Sequence, residues 1–140
     1  GVYLGACAEF CGDQHANMRI RVVAEPEAEF KKWLDGQLVI PRTPTGGIAA
    51  DGAKLFQTMA CMNCHTIQGT AAAARVGPDL THLADRATIG AGVLTNTPEN
   101  LAKWLSNPQR YKQGSLMPNM KLSDSEVKSI VAYLEALDEQ

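Results

Sequence analysis

Aromatic rings are scarce in this chain: Phe, Tyr and Trp together make up 6% of its 140 residues, although 45% of the residues are apolar. That is thin material for a core built from protein alone, and it leaves room for a large apolar body of another kind. No run of about 18 apolar residues occurs, so nothing in the sequence reads as a membrane-spanning helix. No signal peptide is visible either. The first residue is Gly1 and not Met, as expected of a processed, cleaved or truncated chain. Charge of one sign is missing too: 13 Lys and Arg stand against 15 Asp and Glu, a net -2. This balance argues against nucleic acid as a partner and offers no one-sided patch by which a protein partner could be named.

Cysteine is sparse, but its placement carries chemistry. Cys61-Met62-Asn63-Cys64-His65 has the spacing of a c-type haem attachment site. Two thiols on one turn can bond to the two vinyl edges of a porphyrin, and the next residue offers an imidazole to the iron. A redox dithiol would want a preceding βαβ pattern, and zinc would want a second pair at similar spacing; neither appears. The remaining cysteines fall in Cys7-Ala8-Glu9-Phe10-Cys11-Gly12-Asp13-Gln14-His15-Ala16-Asn17-Met18. Soft thiolate and thioether ligands with an imidazole select copper among the first-row metals. A single blue copper needs one Cys, whereas a second thiolate lets two coppers be bridged. The alternative is a disulfide between Cys7 and Cys11 with an incidental His and Met, a state favoured in an isolated fragment.

The rest of the chain divides around these two motifs. Met18 to Ala24 alternates Ile20, Val22 and Ala24 against Arg19 and Arg21, the pattern of a half-buried strand. Glu25 to Gly36 reads as a short helix, with Pro26 in its first turn, acids at its start and Gly36 to cap it. Its apolar stripe, Phe30, Trp33 and Leu34, has no core of its own to meet. It is therefore expected to be mobile, to dock on the following domain or to meet another copy. Residues 37–48, with Pro41, Pro44, Gly46 and Gly47, look like a linker. A helix over 51–60 then leads into the Cys61 motif. Thr97-Pro98 opens a helix over 99–106, which Asn107-Pro108 ends. Ser123-Asp124-Ser125-Glu126 is a capping box ahead of one apolar face made by Val127, Ile130, Val131, Leu134 and Leu137.

The first motif, Cys-x-Glu-x-Cys-Gly-x-x-His-x-x-Met, resembles the dinuclear copper (CuA) loop of cytochrome c oxidase subunit II. The resemblance implies bridging thiolates from Cys7 and Cys11, an imidazole from His15, a weak thioether from Met18 and the backbone carbonyl of Glu9. It also implies one more histidine, from a strand upstream, that this sequence does not contain. Residues 1–36 would be the C-terminal remnant of a cupredoxin-like β-barrel, unable to hold a complete copper pair alone.

Residues 49–140 resemble a small bacterial class I cytochrome c domain, so the expected fold is mainly α, built around covalent haem. By that resemblance Gly52 and Phe56 lie where the first helix crosses the last. Lys112-Gln113-Gly114-Ser115-Leu116-Met117-Pro118 resembles the family's Lys-Pro-Gly-x-x-Met-Pro loop, with Gln113 in place of Pro. This puts the axial sulfur on Met117 in preference to Met120; Met59 and Met62 are too near the attachment motif to reach the opposite haem face. Gly77-Pro78-Asp79-Leu80 resembles the proximal loop, where the Pro78 carbonyl accepts from the His65 ring and so orients it. Trp104 would lie near a haem propionate. Arg86 is either a propionate partner or a solvated side chain, and His82 reads as a surface or hydrogen-bonding histidine. The small-residue stretch over 87–96 resembles an insertion in cytochrome domains fused to oxidase subunit II.

A copper loop, a short helix, a linker and a haem domain in this order resemble subunit II of caa-type oxidases. The implied path runs from an external donor, which is a cytochrome c, iron-sulfur or copper protein, to haem c, to CuA and on to subunit I, where oxygen is reduced. The chain itself would carry electrons within an enzyme complex and has no substrate-turnover site: no residue reads as general acid, base or nucleophile. Haem attachment to CxxCH takes place outside the cytoplasm, so the domain is expected at the periplasmic or extracytoplasmic face, with membrane anchoring left to upstream helices. Two alternatives stand beside this. One is a soluble electron shuttle with a vestigial copper arm. The other is a nitrous oxide reductase CuA fragment, disfavoured by Glu9 and Gly12.

Overall fold

The computed structural model describes residues 1–138, and they are mainly helical. Two strands open the chain, β1 (Val2–Ala6) and β2 (Arg19–Val23), paired antiparallel with Val2 opposite Val23 and Ala6 opposite Arg19. They form a two-stranded ribbon, and among the described residues no barrel closes around it. The copper-like motif is the loop that joins them. The pattern at 18–24 predicts one buried face, but β2 is exposed along its whole length. Alternation records which residues prefer cover; among the described residues no element supplies it.

α1 (Glu27–Gln37) follows, shifted one or two residues from the predicted helix and likewise without a buried residue. The stripe of Phe30, Trp33 and Leu34 stays 42% to 52% exposed. The next helix, α2 (Gly47–Thr58), begins inside the predicted linker. A small hairpin, β3 (Thr88–Ile89) and β4 (Leu94–Thr95), precedes α3 (Pro98–Ser106), α4 (Pro108–Tyr111) and α5 (Asp124–Glu135). Thr97 caps α3 by accepting from Asn100 N at 3.2 Å, and Pro98 suits the first helical position.

A single core holds residues 49–138 together. α2 and α5 cross so closely that a Cβ on Gly52 would lie 2.0 Å from the Ser129 carbonyl oxygen. Beside that crossing Phe56 meets Tyr133 edge-on, ring centroids 5.8 Å apart, an arrangement that contributes about 0.5–1.5 kcal/mol beyond simple burial. Ile67, Ile130, Leu134 and Leu137 complete the buried centre. The ribbon and α1 contribute nothing to it.

The start of α5 is a complete capping box: Ser123 Oγ accepts from Glu126 N, and Glu126 Oε2 accepts from Ser123 N at 2.8 Å. The Ser123 N–H, and then its hydroxyl, hold the Glu126 carboxyl below its ordinary value of 4.5. Ser123→Ala is expected to destabilise the domain by about 1 kcal/mol at neutral pH. A carboxyl whose folded pKa is depressed stabilises the fold above its unfolded pKa, and that contribution fades as pH falls through the folded value. Alanine keeps the N–H and loses only the hydroxyl bond to Glu126, so the gap between variant and parent should narrow by that smaller part below pH 4.5. Urea unfolding of both proteins at neutral and acid pH checks this; a gap that does not change with pH would remove Glu126 from the account.

Candidate functional site

α2 stops at Thr58, Met59 turns extended, and a single 3-10 turn spans Ala60–Asn63. Two backbone amides, Cys64 N at 3.2 Å and His65 N at 3.1 Å, converge on the Cys61 carbonyl. This tight winding fixes both thiols and the imidazole on one short segment. Cys61 and Cys64 are half-buried free thiols, and burial pushes the Cys61 thiol above its ordinary value.

His65 is buried, and its Nδ1 lies 2.8 Å from the Pro78 carbonyl oxygen. A carbonyl only accepts, so Nδ1 carries a proton and donates, and Nε2 is the ring nitrogen left to meet a metal. Gly77 makes the approach possible, because a Cβ there would lie 2.5 Å from the His65 ring. Gly77 N also donates to Cys64 O at 2.7 Å, tying the loop to the turn. Within that loop burial pushes the Asp79 carboxyl upward, but hydrogen bonds from Thr81 outweigh it and hold the group below its ordinary value.

Beside His65 opens a cavity of about 530 Å³, lined mainly by apolar groups and reached by Cys64, Pro78, Arg86, Trp104 and Met117. Its volume is in the range of cofactor sites. Met117 is the one methionine on its wall; Met120 is half-buried elsewhere. The Met117 loop is held by Gln109, on α4, whose amide nitrogen donates to Ser115 O at 2.7 Å and Met117 O at 2.8 Å while its oxygen accepts from Gly114 N. Gln109 was not singled out from the sequence, since nothing distinguishes it from an ordinary exposed glutamine after a helix-ending proline. The indole N–H of Trp104 donates to Met117 Sδ at 3.1 Å. Arg86 reaches the cavity and also donates to the Asp79 carbonyl. His82 is not on the cavity wall; its Nδ1 is 4.0 Å from Asp85 Oδ2.

The family model described as Cytochrome c matches residues 49–138, the part of the chain that builds this cavity. The chain belongs to the cytochrome c family. A cytochrome c domain implies covalent haem, and the residues fit it: the Cys64 thiol, the His65 imidazole and the Met117 thioether line one apolar cavity, and the second free thiol, Cys61, sits on the same turn as Cys64. When bound, haem supplies a one-electron couple. The domain's share is to hold the His65 ring and the Met117 loop in place and to keep water from both.

This cytochrome c chain is also similar, across nearly its whole length, to proteins named cytochrome c oxidase subunit 2. The protein from Alkalihalophilus pseudofirmus is 38% identical over 138 residues, covering 98% of this chain and 40% of the relative. That from Bacillus subtilis is 34% identical over 141 residues, covering 97% and 39%. The one from Saccharomyces cerevisiae matches only 37 residues, at 49% identity, covering 26% and 15%. The chain thus spans about two fifths of the length of these bacterial relatives.

In the loop between β1 and β2, Cys7, Cys11 and His15 bring their donor atoms within 4.8 Å of one another. Cys7 Sγ lies 3.0 Å from Glu9 O, and Cys11 Sγ lies 3.4 Å from Met18 Sδ and 3.6 Å from His15 Nδ1. Both cysteines are thiols, so the disulfide alternative is not the state of this structure. A hydrogen bond with Cys7, then burial, raise the Cys11 thiol above its ordinary value. Two thiols, an imidazole, a thioether and a carbonyl fit a soft metal. Neither His65 nor His82 joins the group.

The loop does not stand apart from the haem cavity. Arg19 N donates to Ala91 O at 3.2 Å, and Gln14 donates to Gln113 O. Residues 90–92 and the Met117 loop, which these contacts reach, both line the cavity.

Proposed function

We propose that this chain is the C-terminal part of a caa-type cytochrome c oxidase subunit II, serving electron transfer within a terminal oxidase. The observation that carries the reading is the joining of two redox sites in one chain: five soft-metal donors gathered in one loop, and that loop seated against the rim of a haem c cavity. In this reading Cys61 and Cys64 would attach the haem, and His65 and Met117 would be the residues that hold its iron. Cys7, Glu9, Cys11, His15 and Met18 are the CuA donors present in the chain. A thioether opposite a histidine gives the potential of an electron carrier, and filled axial positions leave no open site for oxygen.

The path we propose runs from an external donor protein, through the haem cavity and the copper loop, to subunit I, at the extracytoplasmic face of the membrane. The exposed apolar side chains of the ribbon and α1, among them Leu4, Val22 and Trp33, are the surface that the rest of a cupredoxin-like domain would cover. No helix among the described residues is long and apolar enough to cross a membrane.

A metal inventory of the purified chain tests this. One covalent haem iron per chain with a low-spin spectrum is expected, together with substoichiometric copper, because the donor set lacks its second imidazole. Joining the chain to a segment that supplies the rest of a cupredoxin-like domain and its second histidine should restore two coppers with thiolate-to-copper absorption. Haem uptake without any copper in the joined protein would leave a soluble shuttle with a vestigial arm as the better account.

A further inference from the structure

We propose that Gln14, in the loop between β1 and β2, is a positioning residue for the Met117 loop. It braces that loop from outside, through the Gln113 carbonyl, at a residue where the chain departs from a proline-stiffened pattern. This rests on the haem reading of the cavity given above.

Gln14 and Gln113 are 99 residues apart, yet the Gln14 amide nitrogen donates to Gln113 O. Asn17 Nδ2 donates to Gln14 Oε1 at 3.0 Å, so the oxygen end of the amide is occupied and the donor end is the one turned to Gln113. Gln14 is not on the cavity wall and acts on Met117 only through the loop. Beside it Asp13 packs on Gly114, where φ is 80° and a Cβ would lie 3.1 Å from Asp13 Cβ. A side chain at 114 would meet both a strained backbone and the neighbouring loop. The base of the copper-like loop is seated as well. Cys7 N donates to Met18 O at 3.1 Å, Arg19 N donates to Ala91 O at 3.2 Å, and a Cβ on Gly92 would come within 2.7 Å of Arg19 Cβ. Fixed at its base, the loop can carry load at Gln14.

The Met117 loop has use for such a brace. From the side of α4, Gln109 holds Gly114, Ser115 and Met117, but Gln113 lies outside that grip. Among the described residues the Gln113 N–H has no hydrogen-bond partner. A proline at this place, as in the Lys-Pro-Gly-x-x-Met-Pro pattern that the loop resembles, would fix φ near about -65° and restrain the loop from within. Glutamine leaves that freedom, and the bond from Gln14 restrains the same residue from without. The copper-like loop and the loop that carries Met117 are thereby linked mechanically.

Imidazole added to the ferric haem-bearing chain reads the brace, because it enters only where the Met117 loop has let go, and its apparent affinity scales with that fraction. Binding is followed by loss of the sulfur-to-iron charge-transfer band. Gln14→Ala is expected to raise the apparent affinity about threefold, the size of one modest hydrogen bond, with urea unfolding of the domain unchanged. Gln113→Pro keeps the carbonyl and sacrifices no bonded N–H. Lys112, at φ -144° and ψ 80°, already lies outside the α region that a following proline disfavours. Gln113→Pro should therefore lower the affinity, and on that background Gln14→Ala should have a clearly smaller effect. An unchanged affinity in Gln14→Ala would overturn the proposal. So would the same rise on both backgrounds, or a Gln113→Pro that loosens the loop, since the bond would then not stand in for the proline. A rise that tracks an equal loss of stability would overturn it too, as the mark of a structural role alone. A parent chain that takes up no covalent haem, or whose haem lacks the band, fails the axial reading before any variant is compared, and the proposal with it.

Discussion

Met117→Ala is expected to abolish the sulfur-to-iron charge-transfer band of the haem-bearing chain. It should also lower the reduction potential by a sizeable part of the roughly 0.8 V over which axial ligands act. The expectation is specific because Met117 alone among the methionines reaches the cavity. It also concerns ligation and not loop structure, because Gln109 grips the Ser115 and Met117 carbonyls, which the substitution leaves in place. The opened position should then bind added imidazole or cyanide, which the parent resists. Met120→Ala is the control and should leave band and potential unchanged. If Met120→Ala removes the band and Met117→Ala spares it, the axial assignment is wrong.

The second large effect lies far from any ligand. Gly52→Ala places a methyl group 2.0 Å from Ser129 O and 2.8 Å from Tyr133 Cβ, where the first contact is backbone and cannot swing aside. Helix propensity alone would favour alanine by about 1 kcal/mol. Overpacking typically costs about 1–3 kcal/mol and is at its upper end or beyond when two helix backbones must separate. The net expectation is destabilisation by about 2 kcal/mol or more, a fall in melting temperature of about 8 to 16 °C for a domain of this size. Calorimetry on the haem-bearing chain measures it. A variant as stable as the parent would mean that α2 and α5 do not cross as described.

What could be read from the sequence was what chemistry or local geometry fixes within a few residues. The Cys61 turn, the Ser123 box and the Thr97-Pro98 start are of that kind, and the structure forms each where it was expected. α4 escaped because Pro108 serves equally as the stop of one helix and the first residue of the next. The β3–β4 hairpin escaped because its turn depends on three successive residues with φ of 63°, 59° and 84°, and Ala91 gives no hint of that conformation. β1 has apolar residues but no strong alternation, and only its pairing with β2 defines it. The direction of the Trp104 N–H is a tertiary fact, set by Gly90 and by the path of the Met117 loop.

The crossing of α2 with α5 also bears on how the domain is made. Gly52 and Ser129 meet from opposite ends of the domain, so closing the core closes most of its length as one loop. A chain emerging N-terminus first exposes Cys61 and Cys64 well before α5 exists to shut the fold. The thiols therefore stay uncovered until the last helix arrives, and that helix acts as a latch that drops only when the whole domain is available.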